Sequence, residues 1–178
     1  MTRIDHIGNP DAPSPNSVVP SAVAFVLNAE DELLLIERTD NHDWALPGGG
    51  HSPGERIAET AVRETYEETG IRIEIDGLIG IYTDPDHLIE YTSDGEVRQQ
   101  FSLSFRAHPV GGSPATSSES RQVKWIAKTE LSHLSMNSGM RLRVKHGYMN
   151  LPTVYIGLRH ESLRRACVQN FFTQSRRR

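Results

Sequence analysis

Cysteine is almost missing from this 178-residue chain: there is one, Cys167. No internal disulfide can form, so the expected compartment is the reducing cytoplasm, and nothing nearby marks the thiol as a nucleophile. No apolar run reaches the ~20 residues of a membrane-spanning helix, which excludes a membrane partner of that kind. The first residues, MTRIDHIGNPDAPSPNS, lack the apolar core of a signal peptide. The eight histidines are scattered, with no H-x-x-H or H-E-x-x-H spacing, which argues against zinc. No internal repeat is present. Neither sign of charge dominates, and a net charge of −4 gives no general case for nucleic-acid binding.

What the chain does have is concentrated between Gly49 and Ile71, in GGHSPGERIAETAVRETYEETGI. Residues three and four apart share a helix face, so Glu64, Glu67 and Glu68 are expected to project as one carboxylate patch. A solvated charged face is the common explanation for such a patch. Two features weigh against it. The positions four on from Glu67 and Glu68 are Ile71 and Arg72, and Arg72 lies past Gly70, so the usual compensating pairs are missing. Arg63 can pair back with Glu67 only in the weaker orientation. The preceding Leu46-Pro47-Gly48-Gly49-Gly50 lets backbone approach a ligand closely. Oxygen-only ligands suit Mg²⁺ or Mn²⁺ better than zinc.

This stretch resembles the Nudix box, G-x5-E-x7-R-E-U-x-E-E-x-G-U, where U is a bulky apolar residue. Gly49, Glu55, Arg63, Glu64, Glu67, Glu68, Gly70 and Ile71 fill the pattern, and Thr65 departs from it at the first apolar position. The resemblance implies an α/β fold, an α/β/α sandwich with a mixed β-sheet. It implies Mg²⁺- or Mn²⁺-dependent hydrolysis of a nucleoside diphosphate linked to another moiety X. Gly49 would offer its carbonyl to the metal, and Glu64, Glu67 and Glu68 would be the carboxylate ligands. Arg63 would orient a glutamate by ion pairing, with Glu55 as the candidate. The acid that deprotonates water differs among family members; here it is a box glutamate, Glu64 or Glu67, or the loop acid Glu119, which is also readable as an idle surface acid.

Read in order, residues 1–18 hold Pro10, Pro13 and Pro15 among polar residues and suggest a flexible arm. SAVAFVLN and LLLIE, around a short polar break, suggest a β-hairpin buried on both faces. Arg38 is either a phosphate ligand or a strand-end surface charge. Trp44 either stacks on a base or packs in the core. Ser52-Pro53 suggests a helix start, and Ile57, Ala58, Ala61, Val62 and Thr65 its buried stripe. Gly70 is the expected left-handed stop. Residues 71–82 form an expected strand with a bulge near Gly77 and Gly80, and residues 84–95 a polar loop. Residues 96–108 alternate as one half-buried strand. A loop over 110–120, a short strand over 121–126 and two helices near 129 and 136–146 complete a domain over 19–158. Residues 159–178 form an arginine-rich tail or helix, with nucleic-acid contact disfavoured and a homodimer contact left open.

The leading function is therefore a pyrophosphohydrolase acting on a small nucleotide: a nucleoside triphosphate, ADP-ribose or another nucleotide sugar, or a dinucleoside polyphosphate. The alternatives are a nucleotide-sensing module that has lost turnover and an enzyme acting on RNA 5′ ends. The intact carboxylates speak against the first and the acidic net charge against the second.

Overall fold

The computed structural model describes residues 3–157. The arginine-rich tail and Cys167 lie outside the described residues. The elements run β1 (Arg3–Ile7), β2 (Ser21–Val26), β3 (Leu33–Arg38), β4 (Trp44–Ala45), β5 (Gly48–Gly50), α1 (Ile57–Thr69) and β6 (Ile71–Tyr82). They continue β7 (His87–Tyr91), β8 (Glu96–Gln99), β9 (Ser102–Gly112), β10 (Ser120–Ile126), a 3-10 turn (Lys128–His133) and α2 (Ser138–Met149).

The central sheet has the order β5-β2-β9-β6 and is mixed: β2 runs parallel to β9, and the other pairs are antiparallel. Alternation along β2 explains the layers. Ala22, Ala24 and Val26 pack in one core with Ala61 of α1, whereas Val23 and Phe25 pack in a second core with Val144 of α2. Strand side chains alternate between faces, so one apolar strand feeds two cores and must be buried on both sides. The result is the expected α/β/α sandwich.

Helix α1 is short of strong apolar residues but rich in small ones. Thr60, Ala61, Thr65 and Thr69 are fully buried. Thr65 Oγ1 donates to the Ala61 carbonyl at 2.7 Å, which satisfies the hydroxyl where the box pattern has an apolar residue. Gly70 ends the helix at φ 72°, a conformation that favours glycine. Strand β6 shows the expected irregularity, with register shifts at Arg72/Ile73, Ile75/Gly77 and Leu78/Gly80.

Several local expectations are overturned. β2 and β3 do not pair as a hairpin along their length: they belong to different sheets, and among the described residues their ladder is limited to the bridge Leu27↔Leu33. β3 instead pairs with β10 and β4, because a strand buried on both faces is free to take partners from distant segments. Helix α1 begins at Ile57, not at Ser52-Pro53; its first turn closes when Arg56 N–H donates to Glu59 Oε2 at 2.7 Å. The expected N-terminal arm contains β1, which pairs with β7, a strand inside the expected 84–95 loop. The expected long strand over 96–108 breaks at Gln100-Phe101, and its halves β8 and β9 join different sheets. β1, β7 and β8 thus make a third small sheet that closes one side of the glycine run.

Candidate active site

The site is built at the junction of β5 and α1. Chain reversal through residues 51–56 lays the glycine strand across the helix face that carries the box acids. Gly49 leaves the room for this. A Cβ at that position would come within 2.5 Å of the Glu64 carboxyl carbon, so only hydrogen fits between strand and acid.

Arg63 is the hub. Its Nε and Nη2 donate to Glu55 at 3.1 and 2.9 Å, and its Nη1 donates to Glu64 at 2.8 Å and Glu67 at 3.0 Å. Nη2 also donates to the Gly50 carbonyl at 3.1 Å, which ties helix to strand. The pairing of Arg63 with Glu55 is the one the box resemblance implied. Hydrogen bonds from Arg63, with help from the Ser52 N–H and Thr60, hold the Glu55 carboxyl near pKa 2. The guanidinium in turn is held firmly charged by Glu55.

Glu68 is in a different environment. It is 3% exposed, and Gly48 N–H donates to its Oε2 at 2.7 Å. Burial raises its pKa to about 8; the Gly48 hydrogen bond and the Arg38 charge oppose the rise, and Glu64 and Glu119 add to it. Glu64 is also shifted upward, by burial first, against the pull of Arg63. Glu64, Glu68 and Glu119 are therefore close enough to repel one another.

The expected single patch of three ligands is not what the structure shows. Among the described residues, no three Asp, Glu, His or Cys side chains converge as a metal cage. Arg63 is the nearest positive charge, so Glu64 and the exposed Glu67 turn to it, while Glu68 turns inward to Gly48. The donor set nonetheless fits a hard divalent cation. It is made of oxygen atoms only, and the buried Glu68 carboxyl needs a further positive charge to ionise at neutral pH.

The glycine run opens on a cavity of about 220 Å³, which also reaches Arg38, Trp44 and Glu119. Arg38 is more constrained than a strand-end surface charge: Asp40 accepts from its Nε and Nη2 at 3.0 and 2.7 Å. Trp44 packs against the second core, as one of its two expected roles has it, and also lines the cavity. The loop before β10 places Glu119, because Thr39 N–H donates to the Glu119 carbonyl and Ser120 Oγ to the Glu68 carbonyl, at 3.1 and 2.6 Å. Sequence reasoning missed the far wall, made by Arg3, Asp5, His87, Arg98, Gln100 and Arg143. Three of these six, Arg3, Asp5 and His87, lie in the short segments RIDHI and HLIEY, each followed by turn-forming residues.

A profile described as the NUDIX domain matches residues 18–146. The chain belongs to the Nudix family. A MutT-like protein of Streptomyces ambofaciens is 39% identical over 122 residues, covering 68% of this chain and 72% of that protein. A putative 8-oxo-dGTP diphosphatase of Bacillus subtilis is 34% identical over 110 residues, covering 62% and 67%. Among solved structures, a Nudix hydrolase from Nitrosomonas europaea aligns with TM-score 0.61 at 20% identity, over 75% of this chain and 90% of its own. An ADP-ribose pyrophosphatase from Streptococcus suis aligns with TM-score 0.61 at 17% identity, over 79% and 99%. These last two likenesses establish the shared Nudix fold. By class the chain is a Nudix pyrophosphohydrolase, an enzyme that cleaves acid anhydrides, and the strand β5–helix α1 corner is its Nudix box. Among the described residues no helix is long and apolar enough to cross a membrane.

Proposed function

We propose that this Nudix protein hydrolyses the diphosphate bridge of a small nucleoside diphosphate derivative, with Mg²⁺ or Mn²⁺ held by the Gly49 carbonyl and by Glu64, Glu67 and Glu68. The observation that carries the reading is the Arg63 hub: one guanidinium gathers Glu55, Glu64, Glu67 and the carbonyl of Gly50, a residue that lines the cavity. A divalent cation bound there supplies an acidified water and stabilises charge on the leaving phosphate. The protein's own part is positioning. Arg63 fixes the acids, Gly49 lets the strand lie against Glu64, and Arg38 and Trp44 face the nucleotide. Either Glu64 or Glu67, or Glu119 from the loop, takes the proton of the attacking water as the P–O bond to the bridging oxygen breaks. No protein nucleophile is needed, since such a transition state depends mainly on positioning and electrostatics.

Relatives whose names specify 8-oxo-dGTP and ADP-ribose support a nucleotide with a phosphoanhydride as the substrate. The test is a panel of nucleoside triphosphates, ADP-ribose, nucleotide sugars and dinucleoside polyphosphates with Mg²⁺ or Mn²⁺, scored for phosphate-bearing products. Cleavage of at least one member, abolished by EDTA and restored by either metal, is expected. A panel silent with both metals refutes the hydrolase reading.

A further inference from the structure

The far wall of the cavity carries chemistry that the box does not use. Arg3 of β1, Arg98 of β8 and Arg143 of α2 all line it. Among the described residues, five buried side-chain polar atoms lack a hydrogen-bond partner, and the Nε atoms of these three arginines are three of the five. An unpaired buried donor is costly, and three of them belong to arginines of this one wall.

The acids nearby do not balance them. Asp5 accepts from Arg3 Nη2 at 2.8 Å, and Glu96 pairs with Arg98 at 2.7 Å. Arg143 has no acid partner among the described residues. It is 5% exposed, and its guanidinium carbon lies 5.1 Å from the centre of the Tyr82 ring. Asp5 is already committed twice, to Arg3 and to His87 Nε2 at 3.4 Å, and His87 is braced from behind by Gln100 at 2.6 Å. Burial lowers the pKa of Arg143 to about 10, with Arg3 adding to the drop and Tyr82 and Asp5 opposing it, which leaves the side chain cationic at neutral pH. A cationic guanidinium that lines the cavity and has no acid partner among the described residues is suited to a planar fork of acceptors such as phosphate or carboxylate oxygens.

We infer that Arg143 and Arg3 form an anion subsite, so that the preferred substrate carries a second anionic group, phosphate or carboxylate, remote from the diphosphate that is cleaved. This deepens the hydrolase reading and rests on it for the position of the scissile bridge. It also gives the N-terminal strand a role in substrate choice, because β1 brings Arg3 to the cavity from outside the matched domain.

Matched pairs of nucleotides test it: NADPH against NADH for a phosphate, and UDP-glucuronate against UDP-glucose for a carboxylate. Binding is measured by calorimetry on the full chain without metal, and kcat/KM with metal. In at least one pair the charged member should bind about tenfold or more tightly, with a matching kcat/KM ratio. That ratio should fall toward one in Arg143→Met and in Arg3→Gln, the second variant lying on a small peripheral strand and guarding against misfolding of the first. Equal binding within both pairs overturns the subsite, as does a preference that both variants retain. If no compound is hydrolysed but the charged member still binds more tightly and the variants abolish this, the subsite stands and the hydrolase reading fails.

Discussion

The Nudix box and the far wall of the cavity handle charge in opposite ways. At the box end, several acids share one arginine, and the surplus is negative: Glu55, Glu64 and Glu67 crowd Arg63, and Glu68 is buried with only a backbone N–H. At the far wall, arginines outnumber acids, and Asp5 is the acid that Arg3 and His87 share. The pKa values follow. Glu68 is driven up by burial, whereas burial at Asp5 is outweighed by the His87 hydrogen bond and by Arg3, which bring its carboxyl down to about 2. Under the proposed function, this polarity would place cations by the box and anions by the far wall, as a metal-bridged nucleotide requires.

The largest expected effect falls on the acidic end. Glu67→Gln and Glu68→Gln should each lower turnover by about 10²–10⁴-fold, the scale for losing an essential acid–base or ligand group. Circular dichroism should show an intact fold, because glutamine is isosteric with glutamate and, in Glu68→Gln, the amide oxygen can still accept from the Gly48 N–H. Near-normal rates in either variant would remove the contrast between the two ends.

Gly49→Ala sharpens the same end without touching a charge. The new methyl displaces the Glu64 carboxylate, and a misplacement of about 1 Å costs roughly 100-fold in rate. The side chain can swing aside, so the thermal midpoint should move far less than kcat/KM. A variant with full activity would show that Glu64 need not sit against the strand.

The arginine end is tested by acid. Asp5 has a folded-state pKa of about 2 against 3.8 for the free group, so its stabilisation is complete above about pH 4 and is lost as pH falls toward 2. The loss is about 2 kcal/mol at one pKa unit per 1.36 kcal/mol. Urea unfolding midpoints between pH 2 and 5 should slope less steeply in Asp5→Asn than in the wild type. Equal slopes would mean that the β1 contact does not tie the far wall together.

Thr65→Val should have the smallest effect. The hydroxyl only adds to a carbonyl within the helix, so its removal strands no buried partner. Stability should change by less than about 1 kcal/mol, and activity hardly at all. A large loss would show that the departure from the box pattern at this position is required by the packing beneath α1.

Legibility in the sequence followed the range of the interactions. The box acids, Arg63, the close approach at Gly49 and the stop at Gly70 were readable because helix periodicity and glycine geometry act over a few residues. The strands β6 and β10 were readable for the same reason. The partners of β3, the break at Gln100-Phe101 and the third sheet were not. Pairings such as Arg3↔Tyr91 and Leu88↔Gln99 match segments that are individually short and polar, and their burial comes from each other.

The sequence by itself determined the family, since Glu55, Arg63, Glu64, Glu67 and Glu68 stand at the spacing of the Nudix box, and the reaction class is what that resemblance implied. Tertiary structure alone decided how that charge is shared and what faces it. The inward turn of Glu68 and the four-way grip of Arg63 arise where α1 meets the glycine strand, and Arg143 is left without an acid where α2 and β1 line the same cavity as that strand. Burial and through-space charge set these properties, and neither is encoded in the neighbours along the chain.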